Sequence, residues 1–246
     1  NTPTAVEDHL MRLANSADAR GISSVEEQVY SMSKGFEAEI QKFKTFLGYP
    51  KVARDSHLAK TFDELFLGSR LFKEIRGLEP ELDCFNGLIE EEKTIVDDEM
   101  LEWLSKNIGM HKLGVASGRG SEPTRKTLRN LFKYFNPNAM VFLEDETYNM
   151  STQESKSARI KKPYPYSLIK AGTALGNSEQ LIYVGDSIED LLMAESAKKI
   201  EPKYGFVGIY GSNYKPNDRL MLFLERKCDI AVPSLNDLPS LLEMSG

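Results

Sequence analysis

Leu181-Ile182-Tyr183-Val184-Gly185-Asp186-Ser187-Ile188-Glu189-Asp190 is the stretch on which the reading of this chain turns. Its first four residues are apolar without alternation, the pattern of a strand covered on both faces in a parallel sheet. Gly185 lets the backbone turn sharply, Asp186 sits at the strand tip, and Asp190 lies one helical turn further on along the same face. Two carboxylates converging at a strand end, without a basic neighbour to pair them, suit a hard, oxygen-seeking cation such as Mg2+. The competing reading of the same residues is a helix cap at Asp186 with a solvated Asp190.

Short apolar runs of the same kind recur at Leu113–Ser117, Ala139–Leu143, Phe206–Tyr210 and Ile230–Val232, each followed by a helix-like stretch. Pro123 suits a first helical turn, with Leu128, Leu131 and Phe132 at core spacing behind it; Ile188, Leu191 and Leu192 repeat that spacing after the strand at 181. Strands alternating with helices imply an α/β fold with a Rossmann-like parallel sheet. Before about residue 108 the pattern is helical instead. Ser24-Val25-Glu26-Glu27 is a capping box, and Val25, Val29, Met32, Phe36, Ile40, Phe43 and Leu47 form one apolar stripe that ends at Gly48-Tyr49-Pro50. Val6, Leu10, Leu13 and Ala14 mark a shorter helix, and Phe62, Leu65, Phe66, Leu71 and Phe72 another. Asp97-Asp98-Glu99 opens a further helix through Met100, Leu101 and Leu104.

In an open parallel sheet, ligands bind beyond the carboxyl ends of the strands. At the end of the first run, Ser117-Gly118-Arg119-Gly120 offers a hydroxyl and unhindered amides where a helix begins, a corner suited to phosphate, or else a plain β-to-α turn. Lys161-Lys162-Pro163-Tyr164-Pro165 holds a lysine rigidly before a proline, able to neutralise a phosphoryl oxygen or a carboxylate; its plain alternative is a surface lysine in a turn. Glu144-Asp145-Glu146 reads as a solvated strand end, Tyr210-Gly211-Ser212-Asn213 as a turn, and Ser151–Ser157 as a mobile loop.

Composition narrows the partners. The 246 residues carry 31 Lys+Arg against 37 Asp+Glu, a formal charge of -6, and no basic cluster beyond Lys161-Lys162 and Lys198-Lys199, which argues against duplex nucleic acid. No apolar run approaches the roughly 18–20 residues of a membrane span, and no secretory signal is evident. Cys84 and Cys228 are too few for a disulfide framework, so the expected setting is cytoplasmic and the expected partner a small molecule.

The order and spacing of these motifs resemble the haloacid dehalogenase-like superfamily. That family's second motif, a hydrophobic strand ending in Thr or Ser and then Gly, matches Leu113–Gly118. Its third, a Lys that often precedes Pro-x-Pro, matches Lys162-Pro163-Tyr164-Pro165, and its fourth, four hydrophobics then Gly-Asp-x-x-x-Asp, matches Leu181–Asp190. The resemblance implies that Ser117, Gly118 and Lys162 grip phosphate while Asp186 and Asp190 anchor Mg2+, Asp190 through water. Ser117, Lys162 and Asp186 would then be the catalytic residues. The family's first motif, Asp-x-Asp-Gly on the first strand, supplies the nucleophile and the general acid/base, and no Asp-x-Asp occurs in these 246 residues. Members commonly continue that motif with Thr-Leu-hydrophobic-Asp-Thr, whereas this chain opens Asn1-Thr2-Pro3-Thr4 before a helix. The start of the sequence is therefore expected just downstream of the nucleophile.

A central strand lost from such a sheet would leave two apolar edges facing a gap. The expectation is a first strand supplied upstream or by another polypeptide, with residues 1–88 as a helical cap of the C1 type and 89–246 as the core. The implied activity is Mg2+-dependent hydrolysis of a small phosphorylated metabolite through an aspartyl-phosphate. The dehalogenase branch usually lacks the paired acidic signature of Gly185–Asp190. A sugar-phosphate mutase and an inactive phosphate- and metal-binding module stay open.

Overall fold

The computed structural model of the protein describes residues 38, 41–42, 53–54, 56–83, 85–149, 160–213 and 215–244. The shorter helix expected over Val6–Ala14, the Ser151–Ser157 loop and Cys84 lie outside the described residues, and of the capped helix expected over Ser24–Leu47 only residues 38 and 41–42, which are helical, are described.

Helix α1 (His57–Leu67) starts where the Ser56 hydroxyl accepts the Ala59 N–H at 3.1 Å, and α2 (Ser69–Arg76) follows after one residue. A single helix through Phe62 and Phe72 is expected from the apolar spacing. The structure breaks it at Gly68, whose φ of 76° is a left-handed value that glycine adopts freely. A Cβ there would lie 2.6 Å from the Gly87 nitrogen, so the corner packs backbone to backbone against a 3-10 turn at Leu88–Glu91. Leu67, Phe72 and Ile89 close a small core in that angle, while Phe62, 65% exposed, remains outside it. Helix α3 (Asp98–Ile108) forms as expected, with the Asp97 carboxylate accepting the Met100 N–H at 2.7 Å and Met100, Leu101 and Leu104 buried.

Strand β1 (Leu113–Ser117) is followed by α4 (Ser121–Leu128), a 3-10 turn (Arg129–Tyr134) and β2 (Phe135–Phe142). Arg129, at φ 48°, ends α4 before Leu131 and Phe132, which therefore sit in the 3-10 turn rather than on the helix. Next come α5 (Leu143–Asn149), α6 (Tyr166–Ala174), β3 (Leu181–Gly185), α7 (Ile188–Ile200), β4 (Tyr204–Ile209), α8 (Pro216–Glu225), β5 (Ile230–Val232) and α9 (Leu238–Met244). β2 begins four residues earlier than the apolar run at Ala139, with an irregularity in its pairing between Leu113 and Val115 of β1.

All strand pairs are parallel, but they form two sheets: β1 with β2, and β3-β4-β5. One core lies beneath both. Ala116 and Val141 from the first sheet meet Leu168 and Ala171 of α6, Leu191 and Met193 of α7, Phe206 of β4 and Phe223 of α8. On the other face α3 packs near Leu113 and Phe135, and Leu238 and Leu241 cover Val207, Ile209 and Val232. The layers are those of a Rossmann-like fold.

β4 is buried almost throughout, whereas β1 and β3 are half-buried and Ile182 is 56% exposed. Among the described residues β1 and β3 each pair on one side only, and the Tyr183 hydroxyl of β3 reaches the Ala116 carbonyl of β1 at 3.0 Å. The free edges of the two sheets thus lie within one tyrosine side chain of each other. Among the described residues no helix is long and apolar enough to cross a membrane.

Candidate active site

The carboxyl ends of β1 and β3 bring together residues far apart in sequence. Lys162 comes from the turn before α6, and its Nζ lies 2.5 Å from Asp190 Oδ1 on the first turn of α7. Its side chain is 17% exposed and that of Asp190 6%, so neither the surface lysine nor the solvated aspartate describes this structure. The sequence shows no basic partner beside the carboxylates; the fold supplies one from 28 residues away.

Asp190 is fully engaged. Oδ1 accepts from Lys162 and lies 3.0 Å from the Tyr183 hydroxyl, while Oδ2 accepts from the Ser187 amide at 3.1 Å and the Ser187 hydroxyl at 2.8 Å. The Ser187 hydroxyl in turn accepts the Asp190 N–H, closing a capping box at the start of α7. Ser187, not Asp186, is the helix cap. Burial alone raises the Asp190 carboxyl, but the Lys162 ammonium and the bonds from Ser187 and Tyr183 outweigh it and hold the group below the usual carboxylate range. Gly185 is needed for space more than for its turn. Its φ is not positive, and a Cβ there would meet Asp190 Cβ at 2.6 Å.

Asp186 stands exposed at the tip of β3, and its carboxylate makes no hydrogen bond or ion pair with the described residues. Of the two carboxylates it is the one left unengaged by the described residues. Among the described residues no group of three or more His, Cys, Asp or Glu side chains could hold a metal ion. A cation at Asp186 would draw its other ligands from water, substrate or residues outside those described, and Asp190 would act on it indirectly.

At the end of β1, Ser117 Oγ accepts the Arg119 N–H at 3.1 Å, folding the loop back on itself. A side chain at Gly118 would meet no atom within 4 Å, so the backbone there is open to a ligand. The α4 terminus beyond is different, because Asp145 already accepts the Ser121 N–H, at 3.1 Å through one oxygen and 3.2 Å through the other. The Ser121 amide is thus already taken, while the backbone at Gly118 stays open. The Glu144-Asp145-Glu146 run is not a solvated strand end. Glu144 pairs with Arg76 of α2, and Glu146 accepts from the Tyr166 hydroxyl and Lys170 Nζ, both at 2.6 Å. Arg119 also faces the helical segment, pairing with Glu92 at 2.8 Å and lying over the Phe66 ring at 5.0 Å.

Two residues of this neighbourhood escape the motif reading. Tyr183 is the polar-tipped member of an otherwise aliphatic run, a signal the sequence carries. Arg219, on α8, donates to Asn213 Oδ1 at 3.2 Å, which makes the Tyr210–Asn213 segment more than a turn. Burial lowers the Arg219 guanidinium from its ordinary value, against the pull of the Asp186 and Asp190 carboxylates. Nothing in local sequence joins α8 to Asp186; tertiary packing does.

The model of the haloacid dehalogenase-like hydrolase family matches residues 7–198. A crystal structure determined by the Northeast Structural Genomics Consortium shares the fold, with a TM-score of 0.57 and 23% identity over 76% of this chain. This chain spans 53% of the length of that one. No curated protein matches at a significant level.

Proposed function

Since the chain belongs to the haloacid dehalogenase-like hydrolases, we propose that it forms part of a Mg2+-dependent phosphomonoester hydrolase acting on a small phosphorylated metabolite. The observation that carries this reading is the convergence at the carboxyl end of β3 of Lys162 and Tyr183 on Asp190, with Asp186 exposed beside them and Ser117 at the end of β1. Ser117 and Gly118 offer a hydroxyl and an open backbone to phosphoryl oxygens, and Lys162 offers a positive charge. Asp186 would hold the Mg2+, which when bound withdraws charge from the phosphoryl group.

The nucleophile comes from outside the described residues. A carboxylate on a strand seated between β1 and β3 would attack phosphorus; the bond to the leaving oxygen breaks, and the leaving alcohol takes up a proton. Water then hydrolyses the aspartyl-phosphate to orthophosphate and restores the carboxylate. The half-buried faces of β1 and β3 and their unpaired edges support such a strand. In this reading the helical segment, held to the sheet by Arg76–Glu144 and by Arg119 over Phe66, acts as the cap that excludes water.

The test is p-nitrophenyl phosphate hydrolysis by the full-length protein with and without Mg2+. Activity should require the metal and fall by about 10²-fold or more in Asp186→Ala and in Lys162→Ala. A folded full-length protein inactive on this ester and on a panel of sugar and small-acid phosphates would sink the enzyme. The absence of Asp-x-Asp from the chain favours one second reading, a non-catalytic phosphate-binding module, which would still bind orthophosphate.

A further inference from the structure

We propose that Tyr183 is a positioning residue that fixes the direction of the Lys162 ammonium. The inference deepens the phosphatase reading and rests on it for the role of Lys162. A lysine is a compact charge on a flexible four-carbon stem, and an ion pair with one carboxylate sets its distance but not its orientation. Here the contacts close a ring: Nζ to Asp190 Oδ1 at 2.5 Å, Nζ to the Tyr183 hydroxyl at 3.1 Å, and that hydroxyl to the same Oδ1 at 3.0 Å. An ammonium has three N–H donors. Two are directed at the carboxylate and the phenol oxygen, which leaves one for a phosphoryl oxygen.

Tyr183 suits this task because it is itself held. Its ring packs against Phe206 at a centroid distance of 6.3 Å, and the Lys162 Nζ lies 5.7 Å from the ring centre. Burial and the Asp190 charge push its phenol well above the ordinary value, so it stays a neutral donor and acceptor. The single phenol proton serves either Asp190 or the Ala116 carbonyl while the oxygen accepts from Lys162. A strand seated between β1 and β3 would replace the Ala116 contact. The contacts to Lys162, in the turn before α6, and to Asp190, on α7, do not involve β1 and carry the inference.

Tyr183→Phe keeps the ring packing and removes only the hydroxyl. In the full-length protein, kcat/KM for p-nitrophenyl phosphate should fall about tenfold, as for the loss of one hydrogen bond to a charged group, with Tm nearly unchanged. A second readout does not depend on turnover. Lys162 should be acetylated several-fold faster by dilute acetic anhydride in Tyr183→Phe than in wild type, measured by mass spectrometry against Lys170 and Lys198 as internal references. Equal Lys162 labelling in the two proteins overturns the inference, whatever the activity. A wild type without phosphatase activity that still shows the labelling difference overturns only the enzyme reading.

Discussion

Both Asp190 oxygens are saturated by Lys162, Tyr183 and Ser187, so its charge is bound into the fold as well as into the site. Removing one member of a buried pair leaves the other uncompensated, and Asp190→Asn should cost about 3–5 kcal/mol at neutral pH. The sign of the pH effect follows from a carboxyl held low in the folded state. Its stabilisation is complete above the ordinary carboxylate pKa, about 4, and is lost as pH falls through the lower folded value. Urea melts of wild type and Asp190→Asn should therefore differ widely at pH 7 and converge below about pH 4. A gap that stays constant would show that the carboxylate charge is not what stabilises the fold. The motif names Asp186 and Asp190 together, yet their environments separate them: one is exposed and free of bonds to the described residues, the other buried and paired.

Helices α1 and α2 show how an apolar pattern can mislead about burial. Phe62, Leu65, Phe66, Leu71 and Phe72 fit one stripe in the sequence, but the left-handed turn at Gly68 redirects the chain. Phe72 then becomes wholly buried while Phe62 faces solvent among the described residues. Phe72→Ala should cost about 3–5 kcal/mol, as for a core phenylalanine. Phe62→Ala should stay within about 0.5 kcal/mol. Chemical denaturation of the pair checks this, and comparable losses at both sites would mean that something covers Phe62. Arg76, at the end of α2, pairs with Asp63 of α1 at 2.8 Å and, across to the α/β part, with Glu144 of α5. Burial raises the Asp63 carboxyl even though the guanidinium opposes it, as expected of a pair taken out of water.

The two sheets share one core but not one ladder. α6 packs on the first sheet, α7 on the second, and the two helices on each other, which keeps β1 and β3 close although neither hydrogen-bonds to the other as a strand. In a parallel sheet covered on both faces the inner strands are the most buried. Here β4, the inner strand of its sheet, is buried almost throughout, while the edge strands β1 and β3 are half-buried. If the protein extends beyond this chain and a strand from that extension occupies the space between β1 and β3, the amides of Leu113–Ser117 and Leu181–Gly185 should exchange with solvent markedly faster in this chain than in the extended protein. Equal protection in both would rule out an inserted strand and with it the proposed route to the nucleophile.

Much of the architecture is readable in the linear sequence, because strand and helix periodicities are local. The parallel strands at 113, 181 and 230, the helix behind Asp97 and the α/β class follow from apolar runs, a capping aspartate and short turns. The motifs around Ser117, Lys162 and Asp186–Asp190 are local too, which is why a family resemblance can be seen before any fold. What depends on contacts between distant residues is decided only by packing. The Lys162–Asp190 pair, the Tyr183 bridge to Ala116, the capture of Asp145 by α4 and the approach of Arg219 span from 7 to 67 residues or join separate elements. Their energies rest on burial and on a low-dielectric surround, and neither exists until the sheet and its helices close on one another.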